Sequence, residues 1–153
     1  MALTYRIVKS TTGRRNNTPV EATMEKTMSS AITSVESAME ELMKLRGAVG
    51  AALTDYTSGM CLAAIGGGGL IVDLELAAAG NSEVIRSKIK VMDSLRLKSK
   101  IEDILITLSD QYHLTRLLSA HKNLFLYLVL KKEDANLATA RHKLTEVESY
   151  IDL

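Results

Sequence analysis

The stretch that most constrains the fold of this chain is residues 102–131, where three short apolar runs follow one another closely. The runs cover residues 104–108, 112–118 and 124–130, and short polar segments separate them. In the last run, two sets of apolar side chains alternate: Leu124, Leu126, Leu128 and Leu130 on one face, and Phe125, Tyr127 and Val129 on the other. A period of two predicts strands, and the short connections make them antiparallel neighbours. Because residues 124–131 are apolar on both faces, we expect a central strand covered on both sides.

The first element that can cover the sheet is a helix that begins with Thr18-Pro19-Val20-Glu21. This signal is a cap, then proline, then glutamate three residues after the cap. The apolar residues of this helix recur at spacings of four and three: Met28, Ile32, Val35, Met39 and Leu42. This is one stripe, sufficient for one face of a sheet. Gly47 is expected to close the helix in the left-handed conformation.

A hairpin follows, with strands over residues 48–55 and 60–65 and a turn that ends in Gly59. The first of these strands consists mostly of small residues, which would make a poor exposed strand. We therefore place it inside the sheet, next to residues 124–131.

A second helix is predicted over residues 73–95, with Asp73 as its cap. One stripe, Ile85, Ile89, Met92 and Leu95, can face the helix's own sheet. The other contains small residues, Ala77, Gly80, Asn81 and Val84, although a glycine inside a helix costs about 1 kcal/mol relative to alanine. We infer that a second copy of the chain packs closely there through a twofold contact. Close packing on the chain's own sheet is the alternative.

The last helix is expected to start at Asp134 and carries a second covering stripe, Leu137, Ala140, Leu144, Val147 and Ile151. The two terminal helices can lie side by side on one face, with the middle helix on the other. The predicted class is α+β, in the order α-β-β-α-β-β-β-α.

Length and composition favour one domain over residues 18–153, preceded by a flexible basic tail over residues 1–17. Net charge is +1 and aromatic residues are 4%, which argues against a nucleic-acid binder. The single Cys61 suits a reducing compartment, and no apolar run is long enough to span a membrane. We therefore expect a cytoplasmic protein without membrane insertion.

Catalytic signatures are missing from the sequence. The glycine run at residues 66–69 lacks the lysine of a phosphate-binding loop, and we read it as a flexible connection. His113, His121 and His142 have no metal-ligand spacing, and Cys61 is read as a small buried apolar residue. We expect no enzyme, no metal and no cofactor.

Basic residues collect at the end of the second helix and after it: Arg86, Lys88, Lys90, Arg96 and Lys98. They form a possible surface for an acidic partner. The alternative is a solvated face with favourable charge at a helix C-terminus.

Four segments together resemble the roadblock / dynein light chain superfamily: residues 47–55, residues 58–60, residues 74–81 and residues 135–141. The resemblance covers nearly the whole chain, and bacterial members are the best match. It implies a profilin-like, five-stranded antiparallel sheet with one helix on one face and two on the other. It also implies a homodimer formed through the middle helix and the edge strand at residues 102–108, so that Ile104 and Ile106 join Ala77, Gly80, Asn81 and Val84 in the interface.

The same resemblance implies a non-enzymatic regulator or scaffold for a Ras-like small GTPase, with no catalytic residue carried over. Neither Arg86 nor Arg116 is expected to act as an arginine finger. The alternative function is a small-ligand-sensing domain, whose pocket would lie under residues 66–69. A third option, an enzyme that uses Cys61, has less support.

Overall fold

The computed structural model describes residues 18–66 and 73–153. The predicted tail at residues 1–17, most of the glycine run, and the ligand pocket expected beneath it lie outside the described residues. Within these residues, three helices and five strands follow one another in the predicted order: α1 Pro19–Met43, β1 Ala48–Asp55, β2 Met60–Gly66, α2 Leu74–Ser94, β3 Asp103–Thr107, β4 Gln111–Leu117, β5 Leu124–Lys131 and α3 Leu137–Glu148.

The strands form one antiparallel sheet in the order β2-β1-β5-β4-β3. β5 is central, and residues 125–130 are all buried. The β1–β2 hairpin joins it through β1, as the small residues of that strand predicted. The two outer strands are β2 and β3.

Two apolar clusters lie on opposite faces of the sheet, confirming the predicted layers. α1 and α3 cover Ala51, Leu114 and Leu128 on one face. α2 covers Ala52, Phe125 and other residues of the opposite face. The alternation in β5 decides this arrangement, because successive side chains of a strand point to opposite faces.

The start of α1 confirms the sequence signal. Glu21 N donates to Thr18 Oγ1, and the Glu21 carboxylate accepts from Thr18 N, which completes the capping box. The covering stripe, however, is only partly buried: Val35 is buried, whereas Met28 is 61% exposed and Ile32 38% exposed. Met28 and Ile32 were expected to cover the sheet, and that expectation is wrong. The first part of α1 lies too far from the sheet to cover it.

Two further expectations are corrected. Asn136 caps α3, since its Oδ1 accepts from Thr139 N at 2.9 Å. Asp134 belongs to the preceding turn, where its carboxylate lies 3.6 Å from Arg46. Leu95 is 62% exposed and does not face the sheet, because α2 ends at Ser94.

The edge strand β2 contains a bulge. Ala63 pairs with Leu53 and Cys61 pairs with Thr54, so Leu62 has no partner on β1. An extra residue of this kind turns a side chain away from the regular alternation. Leu62 accordingly lines a groove against α1.

Candidate functional site

The helix α2 covers only part of its face of the sheet. Its main contacts are with β1 and β2. On the same face, β4 and β3 present His113, Thr115 and Ile106, of which Ile106 is 37% exposed. β3 is also an edge of the sheet, so unpaired backbone groups lie beside this uncovered area.

The small residues of α2 divide between two environments. Ala78 and Ser82 are fully buried against the chain's own sheet, so the intramolecular alternative explains them. Ala77 and Asn81 are half-buried, and Ala77 packs on the apolar cluster beneath α2. Gly80 is exposed, and a Cβ built on it would meet no atom within 4 Å.

A second stripe of α2 points away from the sheet. Gly80, Val84, Ser87 and Val91 recur at spacings of four, three and four, which places them on one side of the helix. All four are exposed, with Val84 at 41% and Val91 at 45%. Small and apolar side chains at this spacing are typical of a surface on which another helix packs closely.

A polar cluster lies under the flank of this stripe. The Tyr127 hydroxyl lies 2.7 Å from His113 Nδ1, and His113 Nε2 lies 2.9 Å from the Gln111 side-chain oxygen. The arrangement requires the tautomer in which Nδ1 accepts from the tyrosine and Nε2 donates to the glutamine. Asn81 of α2 lies close to the same tyrosine hydroxyl, and its amide donates to Ala77 O at 2.9 Å. We call these four residues the His113 cluster.

Burial decides the charge states in the His113 cluster. It lowers the pKa of His113, with a smaller opposing effect from Asp110. It raises the pKa of Tyr127, which Asn81 partly offsets. Both side chains are therefore neutral near pH 7.

The cluster also orients α2 on the sheet. Asn81 lies toward Tyr127 of β5, whereas Arg86 donates to Tyr56 O in the β1–β2 turn on the other side of the helix. The outward stripe is therefore adjacent to the uncovered part of the sheet. We call the combined area the α2–β3 surface, made of Gly80, Val84, Val91, Ile104 and Ile106.

The basic residues predicted as a partner surface do not share one environment. Arg86 is half-buried and is engaged by Glu83 and the β1–β2 turn, so it serves the fold. Lys88, Lys90, Arg96 and Lys98 are exposed. Arg116 forms an ion pair with Glu148 of α3.

Cys61 is half-buried, and its thiol lies 3.4 Å from Ala63 O. Burial raises its pKa, with smaller effects from its neighbours, so the thiolate is disfavoured. Within residues 18–66 and 73–153, no group of His, Cys, Asp and Glu could hold a metal ion. No helix in the same ranges has both the length and the apolar character needed to cross a membrane.

Comparison with solved structures shows the roadblock fold. Myxococcus xanthus MglB matches with a TM-score of 0.67 and 11% identity, over 77% of this chain and 84% of that one. The gliding protein MglB from Thermus thermophilus matches with a TM-score of 0.65 and 17% identity, over 80% and 87%. A roadblock/LC7 domain from Streptomyces avermitilis matches with a TM-score of 0.61 and 14% identity, over 73% and 89%. No protein-family model and no curated protein matches the sequence.

Proposed function

We propose that this protein is a homodimeric interaction module that regulates or scaffolds a Ras-like small GTPase in the cytoplasm. The observation that carries the proposal is the α2–β3 surface, where an exposed stripe of small and apolar residues adjoins an open sheet edge. The fold shared with MglB and roadblock/LC7 structures supports the same conclusion.

Two incomplete elements that lie side by side support the proposed dimer. The outward stripe of α2 exposes Val84 and Val91, which lose contact with water when a second α2 packs on them. The edge of β3 has free backbone groups, which a second β3 satisfies across a twofold axis. One symmetric contact thus completes both elements.

The proposed interface consists of Gly80 and Val84 at its centre, Ala77 and Asn81 on the flank that touches its own sheet, and Ile104 and Ile106 of β3. Gly80 permits close approach of two helices. This role explains why the helix contains a glycine there, although glycine weakens an isolated helix. A further MglB structure, with a TM-score of 0.65 and 17% identity, is described as having a tetrameric arrangement. That description is consistent with self-association as a use of this fold.

The GTPase partner is the role implied by the roadblock resemblance. The exposed Lys88, Lys90, Arg96 and Lys98 offer positive charge for an acidic surface on that partner. We propose that the protein contributes no catalytic group and that it acts by binding.

The first experiment tests the dimer by sedimentation of Gly80→Leu. The new side chain meets open space in the single chain, so the monomer is expected to fold, whereas a second α2 is pushed away. Ala79→Leu is the matched control, since Ala79 is exposed on the same turn and lies toward Gly59 of the β1–β2 turn. We expect a monomer for Gly80→Leu and a dimer for the control. If Gly80→Leu still forms the wild-type dimer, the interface is wrong.

The second experiment tests the partner by affinity purification from native lysate with the wild type, Gly80→Leu and Ala79→Leu. A Ras-like GTPase is expected with the wild type and Ala79→Leu, at several times the level found with the monomeric variant. If no GTPase is enriched over Gly80→Leu, the partner assignment is wrong even when the dimer is confirmed.

A further inference from the structure

An apolar groove lies at the other end of the sheet, between α1 and the edge strand β2. It has a free volume of about 130 Å³. Its lining is almost wholly apolar and includes Ile32, Val35 and Met39 of α1, Leu62 and Ala63 of β2, and Leu153. The bulge in β2 is what brings Leu62 to this groove. The groove is far from the proposed dimer surface, because β2 and β3 are opposite edges of the sheet.

The exposed part of α1 continues the groove as an apolar ridge. Residues 18–30 are all exposed. Val20 is 68% exposed, and Met24 and Met28 are each 61% exposed. At about 1.5 Å per residue, residues 19–30 extend about 18 Å beyond the buried part of the helix. Carboxylates flank the ridge at Glu21 and Glu25, and Glu36 lines the groove.

The charge of this flank distinguishes between two occupants. A second copy of α1 laid along the ridge would bring the carboxylates of its own flank near those of the first, and like charges repel. A basic segment would be attracted. Residues 1–17 contain Arg6, Lys9, Arg14 and Arg15 and no acidic residue.

We propose that residues 3–8 of the same chain occupy the groove between α1 and β2. The segment alternates Leu3, Tyr5 and Ile7 with Thr4, Arg6 and Val8, so one side of an extended backbone is apolar. The connection reaches far enough: residues 9–17 span about 30 Å when extended, more than the roughly 18 Å of ridge that they must follow. Arg14 and Arg15 then pass beside Glu21 and Glu25.

The proposal itself does not depend on the proposed function, since it concerns the opposite edge.

Methyl NMR on the full chain tests the proposal. We expect nuclear Overhauser contacts from the Ile7 methyl groups to those of Ile32 and Leu62. Ile7→Asp is expected to shift the Ile32 and Leu62 resonances, whereas Val8→Asp, on the other side of the segment, leaves them in place. Leu3→Asp is a second variant on the docked side, and the unchanged Leu128 methyl resonances verify the fold.

Two results would overturn the proposal. One is the absence of these contacts together with unshifted resonances in both Ile7→Asp and Leu3→Asp. The other is a mixed sample of labelled and unlabelled protein in which the contacts run between molecules, since the occupant is then the segment of a second copy. Repeating the measurement with the monomeric Gly80→Leu variant separates this result from a failure of the proposed dimer.

Discussion

Arg116 of β4 and Glu148 of α3 form a nearly buried ion pair, with Nε 2.9 Å from Oε2. The other carboxylate oxygen accepts from Ser119 N at 2.6 Å. Burial alone would raise the pKa of Glu148, but the hydrogen bonds from Ser119 and the pair with Arg116 outweigh it and lower the pKa. The pair fixes the end of α3 to the sheet and to the turn after β4.

The first prediction concerns this pair. Glu148→Ala leaves Arg116 largely buried without its partner, and we expect the free energy of unfolding to fall by about 3 kcal/mol. Urea denaturation measures the change. Glu146→Ala, two residues earlier and more exposed, is the control and should change the stability little. Equal stabilities for the two variants would show that the buried pair contributes nothing.

The second prediction concerns pH. Because burial lowers the pKa of His113 below its ordinary 6.5, the unfolded chain binds a proton at a pH where the folded chain does not. The stability that the neutral, buried His113 contributes is fully present above about pH 6.5. It is lost as the pH falls toward the pKa of His113 in the folded state. We expect the urea midpoint to decrease from about pH 7.5 to about pH 5.5. His113→Gln should flatten that decrease, whereas the exposed His142→Gln should keep it. An unchanged slope in His113→Gln would contradict the prediction.

The third prediction compares two glycines. Gly80→Ala fills open space inside a helix and should raise the unfolding free energy of the monomer by about 1 kcal/mol. Gly66 has φ +87°, and a Cβ there would lie 2.5 Å from Val49 O, so Gly66→Ala should lower it by about 2 kcal/mol. Denaturation at concentrations where the protein is monomeric gives both values, and changes of the same sign would refute the comparison.

The fourth prediction concerns the end of α2, where Arg96 has φ 54°. Arg96 N donates to Asp93 O and Leu97 N donates to Met92 O, the pattern in which glycine is usually found at the left-handed position. Arg96→Gly should therefore raise the free energy of unfolding by about 1 kcal/mol. Lys98→Gly, where φ is negative, is the control and should not stabilise. A destabilised Arg96→Gly would mean that the arginine side chain makes a larger contribution than the backbone strain costs.

Several features followed from local patterns in the sequence. The alternation in β5, the cap at Thr18 and the cap at Asp73 were all predicted and are confirmed. These signals are local, because a strand's alternation and a helix cap depend on residues within a few positions of one another. The predicted helix start at Asp134 was wrong, because a local signal does not distinguish between two good caps. Asn136, two residues later, is an equally good cap and is the one that the helix uses.

The environments of the small residues in α2 could not be predicted in this way. Ala78 and Gly80 are two positions apart and equally small, yet one is buried and the other meets open space. Which side of the helix faces the sheet depends on contacts distant in sequence, such as Asn81 with Tyr127 and Arg86 with Tyr56.

By itself, the sequence determined the order of helices and strands, the central place of β5 and the layers on its two faces, because periodicity and short connections leave few other arrangements. Only the tertiary structure decided that α2 covers only part of its face, that α1 extends beyond the sheet, and that Arg116 meets Glu148. Each of these depends on where whole elements lie relative to one another, and that placement results from packing between residues far apart in the chain.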